Sequence, residues 1–150
     1  MNRPAHGSTF DPAQAAPLLL RLGHVGWLGL EYHSHGDDWT ELVLPWRDDL
    51  LGDSERELLA TGPIVSLCDM ASGMAIWNAM ARFVPIATLD LRVDYQRAAR
   101  PRHAVHARAR CYTLTRSSAF VTGTAHDGDS SDPVARFSGC FMRIDRPAVA

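Results

Sequence analysis

Gly62-Pro63-Ile64-Val65-Ser66-Leu67-Cys68-Asp69-Met70-Ala71-Ser72-Gly73-Met74-Ala75-Ile76-Trp77-Asn78-Ala79-Met80-Ala81 is an unbroken, mostly apolar run of helical length. A little further on, Thr88-Leu89-Asp90-Leu91-Arg92-Val93-Asp94-Tyr95 alternates with a period of two. The first stretch predicts a helix about 30 Å long at 1.5 Å per residue, with Pro63 suited to its first turn and Pro85 marking the exit. It carries Asp69 and Asn78 and lacks cation-rich flanks, so it reads as the buried helix of a folded domain and not as a membrane span. The second stretch is the clearest strand in the chain, with Leu89, Leu91, Val93 and Tyr95 on one face. One long apolar helix beside such strands must bury its apolar side against a sheet.

The sequence on either side supplies that sheet. Upstream, Asp11 followed by Pro12 is a helix start, predicting a short helix to about Leu22 that Gly23 ends. Trp27 to His33 and Trp39 to Trp46 read as a hairpin turned at Ser34–Asp38. Arg47 to Leu59 reads as a polar loop with one irregular turn. Downstream, Val105, Ala107, Ala109 and Cys111 alternate with His106, Arg108, Arg110 and Tyr112, and strands are expected over Ala119–Ala125 and Val134–Ile144. The expected order is a short helix, two strands, the long helix and four strands joined by short turns, which suits antiparallel neighbours. This is an α+β domain: a curved antiparallel sheet wrapped around one long central helix.

Composition narrows the function classes. The 150 residues fit one domain, with residues 1–10 read as a flexible lead. A formal net charge of -2 provides no overall field for nucleic acid or an anionic membrane. Cys68, Cys111 and Cys140 form no Cys-x-x-Cys pair and sit in apolar stretches, so they read as small core hydrophobes in a reducing compartment. Nothing in Met1–Pro12 reads as a secretory signal. A cytoplasmic location is expected. His33 and His35, and separately His103 and His106, are close in sequence, but neither set brings a third ligand, so no metal site is expected.

Asp69 is the residue that asks for an explanation. Gly62, Ser66, Asp69 and Gly73 fall within an arc of roughly 60° on the long helix, opposite Leu67, Ala71, Met74 and Asn78. An unpaired carboxylate in apolar surroundings costs several kcal/mol, so Asp69 has either a structural hydrogen-bond partner or a chemical role. The amide groups at Thr61, Gly62 and Ile64 point outward at the positive end of the helix dipole, where they could hold a developing oxyanion.

The segments Gly62–Gly73 and Ala87–Tyr95, with Leu44-Pro45-Trp46-Arg47 and Leu51-Gly52-Asp53 upstream, resemble the PaaI-like branch of the hotdog-fold thioesterases. The similarity runs from about Gly26 to Ile144. It implies hydrolysis of an acyl-CoA thioester by a homodimer or dimer of dimers, with sites at the subunit interface. It implies Asp69 as general base or nucleophile, the amides of Thr61 or Gly62 as carbonyl polarisers, and Thr88 as a positioning hydroxyl. No cofactor is implied beyond the CoA of the substrate, whose phosphates would meet Arg97, Arg100 and Arg102 beside His103, with Arg116 as a second candidate. The chain departs from the family's His-Gly-Gly signature, where it reads Ala60-Thr61-Gly62, and has Glu57 at an upstream glycine position. That departure motivates an alternative reading, a hotdog protein that binds an acyl-CoA or related ligand without turnover. A hydratase or dehydratase ranks last, because the helix carries no histidine.

Overall fold

The computed structural model describes residues 9–144. Of the expected flexible lead, residues 1–10, the first eight lie outside the described residues, and the Phe10 amide donates to the Ala81 carbonyl at 3.0 Å. Helix α1 (Pro12–Leu19) starts as read: the Asp11 carboxylate accepts from the Ala13 amide at 2.9 Å. It is shorter than expected, and a second helix, α2 (Gly23–Leu28), replaces the start of the first strand. Val25 and Trp27 favour a strand locally, but Leu28 is buried against the core, and Gly29, at φ +71°, ends the helix in the left-handed conformation.

Strands β1 (Glu31–His35) and β2 (Trp39–Leu44) form the expected hairpin. The polar excursion that follows is more ordered than its composition suggests. It holds a short 3₁₀ turn at Asp48–Leu50 and a two-stranded ribbon of β3 (Leu51–Asp53) and β4 (Leu58–Leu59). Buried Leu50 and Leu59 hold this ribbon to the core. Helix α3 (Thr61–Met80), then β5 (Ile86–Tyr95), β6 (Val105–Leu114), β7 (Ser118–His126) and β8 (Ala135–Arg143), follow among the described residues, close to the expected bounds. None of the described helices is long and apolar enough to cross a membrane.

The six long strands form one antiparallel sheet in the order β1-β2-β6-β7-β8-β5. Thr40, Leu42 and Leu44 on β2, and Val105, Ala107 and Ala109 on β6, are fully buried facing α3. Leu67, Ala71 and Met74 return that contact, also fully buried, and the Thr40 hydroxyl donates to the Ala71 carbonyl at 2.9 Å. Small residues on β6 let the helix approach the sheet closely. The architecture is the hotdog fold.

A second anchor ties the loop after β5 to the end of β7. Arg97 reaches the fully buried Asp127 carboxylate through two hydrogen bonds, at 2.7 and 2.8 Å, and the Arg100 amide adds a third at 2.7 Å. The Arg97 guanidinium, opposed by burial and helped by the Arg100 amide, holds the Asp127 carboxyl down to about 2, against an ordinary 3.8. A depressed carboxylate contributes stability that is present above its unfolded pKa and is lost as pH falls through its folded value. We therefore expect about 2 kcal/mol of stability to disappear between roughly pH 4 and pH 2. Denaturant unfolding across that range checks this, and Asp127→Asn should lack this component of the pH dependence; an unchanged slope in the variant would contradict it.

Candidate active site

Helix α3 begins without a side-chain cap. Ala60 occupies the N-cap position in extended conformation and offers no acceptor, so the Thr61 and Gly62 amides emerge at an exposed helix end. A Cβ built on Gly62 would meet nothing within 4 Å. Two cavities flank this helix end. One, of about 530 Å³, is bounded by Thr61, Ile64, Leu59, Tyr95, Arg97 and Val134 among others. The second, of about 350 Å³, is bounded by His24, Trp27, Leu51, Gly62, Pro63 and Ser66 among others. The Tyr95 hydroxyl donates to the Thr61 carbonyl at 3.0 Å and ties the end of β5 to the start of the helix.

Asp69 lies on the side of α3 that faces β5, half-buried and not enclosed. The Thr88 hydroxyl donates to its Oδ1 at 2.7 Å. Register explains the meeting. Thr88 pairs with Phe141, whose side chain is buried, and β5 bulges at Leu89 before pairing resumes at Asp90 and Cys140. The bulge keeps Thr88 turned toward the helix while Leu89 is thrown out to solvent. The carboxylate therefore has one hydroxyl donor and an open side.

Other members of the small-residue stripe take different surroundings. Gly73 is buried, and a Cβ there would lie 3.6 Å from Ile86 and 3.9 Å from Trp77, so its space belongs to the chain's own core. Ser66 lies 3.1 Å from His24 Nε2. His24, which sequence reasoning missed, stands on α2 beside the cavity at Gly62; only the fold of α2, whose last two residues read as strand, could have shown it. Cys68 is no candidate nucleophile: burial, reinforced by the neighbouring Asp69 charge, pushes its thiol up to about 12.

The arginines divide. Arg97 is held by Asp127 and Asp132, and Arg102 by Glu57. Arg100 is exposed, with its guanidinium 3.8 Å from Asp127. Arg116 lies exposed in the turn between β6 and β7, at the end of the sheet far from Thr61. Glu57 adopts φ +56°, the left-handed conformation that glycine takes readily, so the backbone keeps the shape without the residue that favours it. The Trp46 indole donating to the Glu57 carbonyl and the Arg102 ion pair hold it there.

Comparison with known proteins agrees with this architecture. Residues 59–134, half of the chain, match the thioesterase superfamily. A Pseudomonas aeruginosa protein of known structure is 32% identical over 88% of this chain and 98% of its own, with a TM-score of 0.79. A thioesterase from Haemophilus influenzae, at 20% identity over 91% and 92% of the two chains, superposes with a TM-score of 0.79. The PaaI protein of the Escherichia coli phenylacetic acid degradation operon, at 16% identity over 89% and 94%, gives 0.75. These last two likenesses concern the fold. No functionally curated protein matches the chain. The chain belongs to the thioesterase superfamily, and that membership supports thioester hydrolysis as its general class of chemistry.

The thiols provide a check on the site's packing. At pH 8 a soluble disulfide reagent should leave Cys68 untouched in the native protein, whereas half-exposed Cys140 reacts. Fast native labelling of Cys68, located by peptide mapping, would contradict the enclosed helix face.

Proposed function

We propose that the chain hydrolyses an acyl-CoA thioester to the free acid and CoA. The observation that carries this reading is the pairing of Asp69 with Thr88 beside an uncapped helix N-terminus, in a member of the thioesterase superfamily. Asp69 takes a proton from water, or attacks the carbonyl carbon itself, while Thr88 fixes the carboxylate by donating to Oδ1. The oxyanion accepts hydrogen bonds from the Thr61 and Gly62 amides. Loss of the signature histidine and glycine leaves those amides in place, because backbone donors survive side-chain replacement.

One chain does not complete this arrangement. Asp69 lies eight residues beyond Thr61, roughly 12 Å along the helix axis, too far for both to reach the same carbonyl. A second copy supplies the missing half, so the working unit is a homodimer or a dimer of dimers. The free edge of β5 supports this, since among the described residues β5 pairs with no strand but β8, and it exposes Leu89 and Tyr95. The nucleotide end of CoA meets Arg100, whose side chain is less committed to internal pairs than those of Arg97 and Arg102; Arg116, at the opposite end of the sheet, is the second candidate. The second reading, ligand binding without turnover, rests on Ala60-Thr61 standing where the family signature carries a histidine and a glycine.

Thiol release from short, medium, long and aromatic acyl-CoA esters tests the proposal. Asp69→Asn should lower turnover by roughly a hundredfold to ten-thousandfold with the fold retained. Equal hydrolysis by the variant removes Asp69 from the chemistry. CoA affinity without hydrolysis by the wild type would favour the second reading.

A further inference from the structure

The face of the sheet turned away from α3 carries a group that the thioesterase reading does not use. Alternation places Glu41 of β2 on this outer face, since its neighbours Thr40 and Leu42 face the helix. His106 of β6 and His126 of β7 pair directly across the ladder and share that face. Their rings stack at 5.1 Å with an interplanar angle of 10°. His33 joins them from β1 through a bulge: Tyr32 pairs with Leu42 and Ser34 with Glu41, so His33 is the extra residue. Tyr32 faces inward opposite Leu42, so alternation turns the His33 ring outward to the cluster, and the bulge leaves both His33 and Ser34 opposite Glu41.

The geometry converges on one atom. Glu41 Oε1 lies 3.2 Å from His106 Nδ1, 3.6 Å from His33 Nδ1 and 3.6 Å from His126 Nε2. Only the His106 separation is that of a hydrogen bond. The other two are too long for one, and that of His33 is close to the separation of neighbouring ligands around an ion. Bonds of 2.0–2.1 Å in a tetrahedron put adjacent donors about 3.3 Å apart. Donor atoms of His33, Glu41 and His106 all lie within 4.8 Å of one another, the one such group of three among the described residues.

From this we propose that His33, Glu41 and His106 bind a divalent transition-metal ion of the zinc type on the outer face of the sheet. Two imidazoles and one carboxylate are the donors that borderline ions prefer, and three protein ligands leave a fourth position open. Glu41 is a prepared ligand. Its side chain is only 4% exposed, and Arg108 Nε donates to Oε2 at 2.7 Å, which fixes the carboxylate with Oε1 toward the histidines. Burial alone would raise this carboxyl, but the Arg108 hydrogen bond and charge outweigh it and hold the group below its usual range.

His126 has a supporting part. The Gly128 amide lies 3.3 Å from its Nδ1 and donates to it, so the neutral ring carries its proton on Nε2 and presents an N–H to Glu41. His33 Nδ1 also lies 2.9 Å from the Ser34 hydroxyl and exchanges that contact for the ion. Glu41 also borders a cavity of about 320 Å³, shared with Arg108, Thr124, His126, Gly128 and Ser130, which has room for a water or a small anionic ligand. Asp69 and Thr88 lie on the other side of the sheet, so the ion stands apart from the thioester chemistry.

Titration of the full-length protein with zinc, followed by calorimetry, and with cobalt, followed by visible absorption, tests the proposal. We expect one ion per chain and, for cobalt, the bands of a low-coordinate site with nitrogen and oxygen ligands. His33→Ala and His106→Ala should each weaken binding by roughly tenfold or more. His33 is half-exposed, so its replacement leaves the fold intact and keeps the test decisive where Glu41→Gln, which disturbs a buried ion pair, fails to fold. Failure to bind one ion per chain overturns the proposal. So does binding that is unchanged in both histidine variants, which puts the ion on other donors such as Cys140 or His103.

Discussion

A helix that is apolar almost all the way round cannot rest on a flat surface with one side in water. Ile64, Leu67, Cys68, Ala71, Met74, Ala75 and Ile76 are all at most 2% exposed. Burying each large side chain contributes roughly 1.5–3 kcal/mol, which a curved sheet collects by closing around the helix. Every other feature follows from that enclosure. Residues of β2 and β6 facing α3 must be small or aliphatic, the shorter N-terminal elements must cover the remaining flank, and polar groups are displaced to the helix ends, the β5 side and the outer face.

The position of Asp69 follows from the same constraint. Its turn of helix leans toward β5, the edge strand, where the enclosure is incomplete, and so the carboxylate meets one hydroxyl and an opening. The amides of Thr61 and Gly62 lie open at the helix end because Ala60 cannot cap them. The enclosure thus leaves two chemical resources, an acid on the edge and free donors at the end, separated by two turns of rigid helix. Their separation makes association of copies a geometric requirement of the proposed chemistry. The arginines show the opposite economy: Arg97 and Arg102 look available in a basic run, but buried Asp127 and left-handed Glu57 claim them for holding loops in place.

The outer face of a sheet is a place where chemistry accumulates without disturbing the core. Alternation sends every second residue there, and neighbouring strands bring residues from distant parts of the chain within contact of each other. Glu41, His106 and His126 meet in this way, and β1 adds His33 from the other side of Glu41. A buried carboxylate held by Arg108 gives that group a fixed centre instead of a loose set of surface imidazoles.

Resemblance to the hotdog thioesterases pointed to Asp69 and Thr88 as the proposed site; the sequence by itself determined the long helix and the later strands. These depend on periodicity and on residue types repeated over many positions, where a local rule and the global fold agree. It misread Trp27–Leu28 as strand and missed the β3–β4 ribbon within Arg47–Leu59, because those short segments take their conformation from what they cover: Leu28, Leu50 and Leu59 are buried by tertiary packing. Only the tertiary structure decided that Arg97 and Arg102 are engaged, that Gly73 packs under its own strand, and that histidines from β1, β6 and β7 converge on Glu41. The physical reason is shared. Strand register and bulges set which residues face each other across a sheet, and no spacing along the chain encodes that directly.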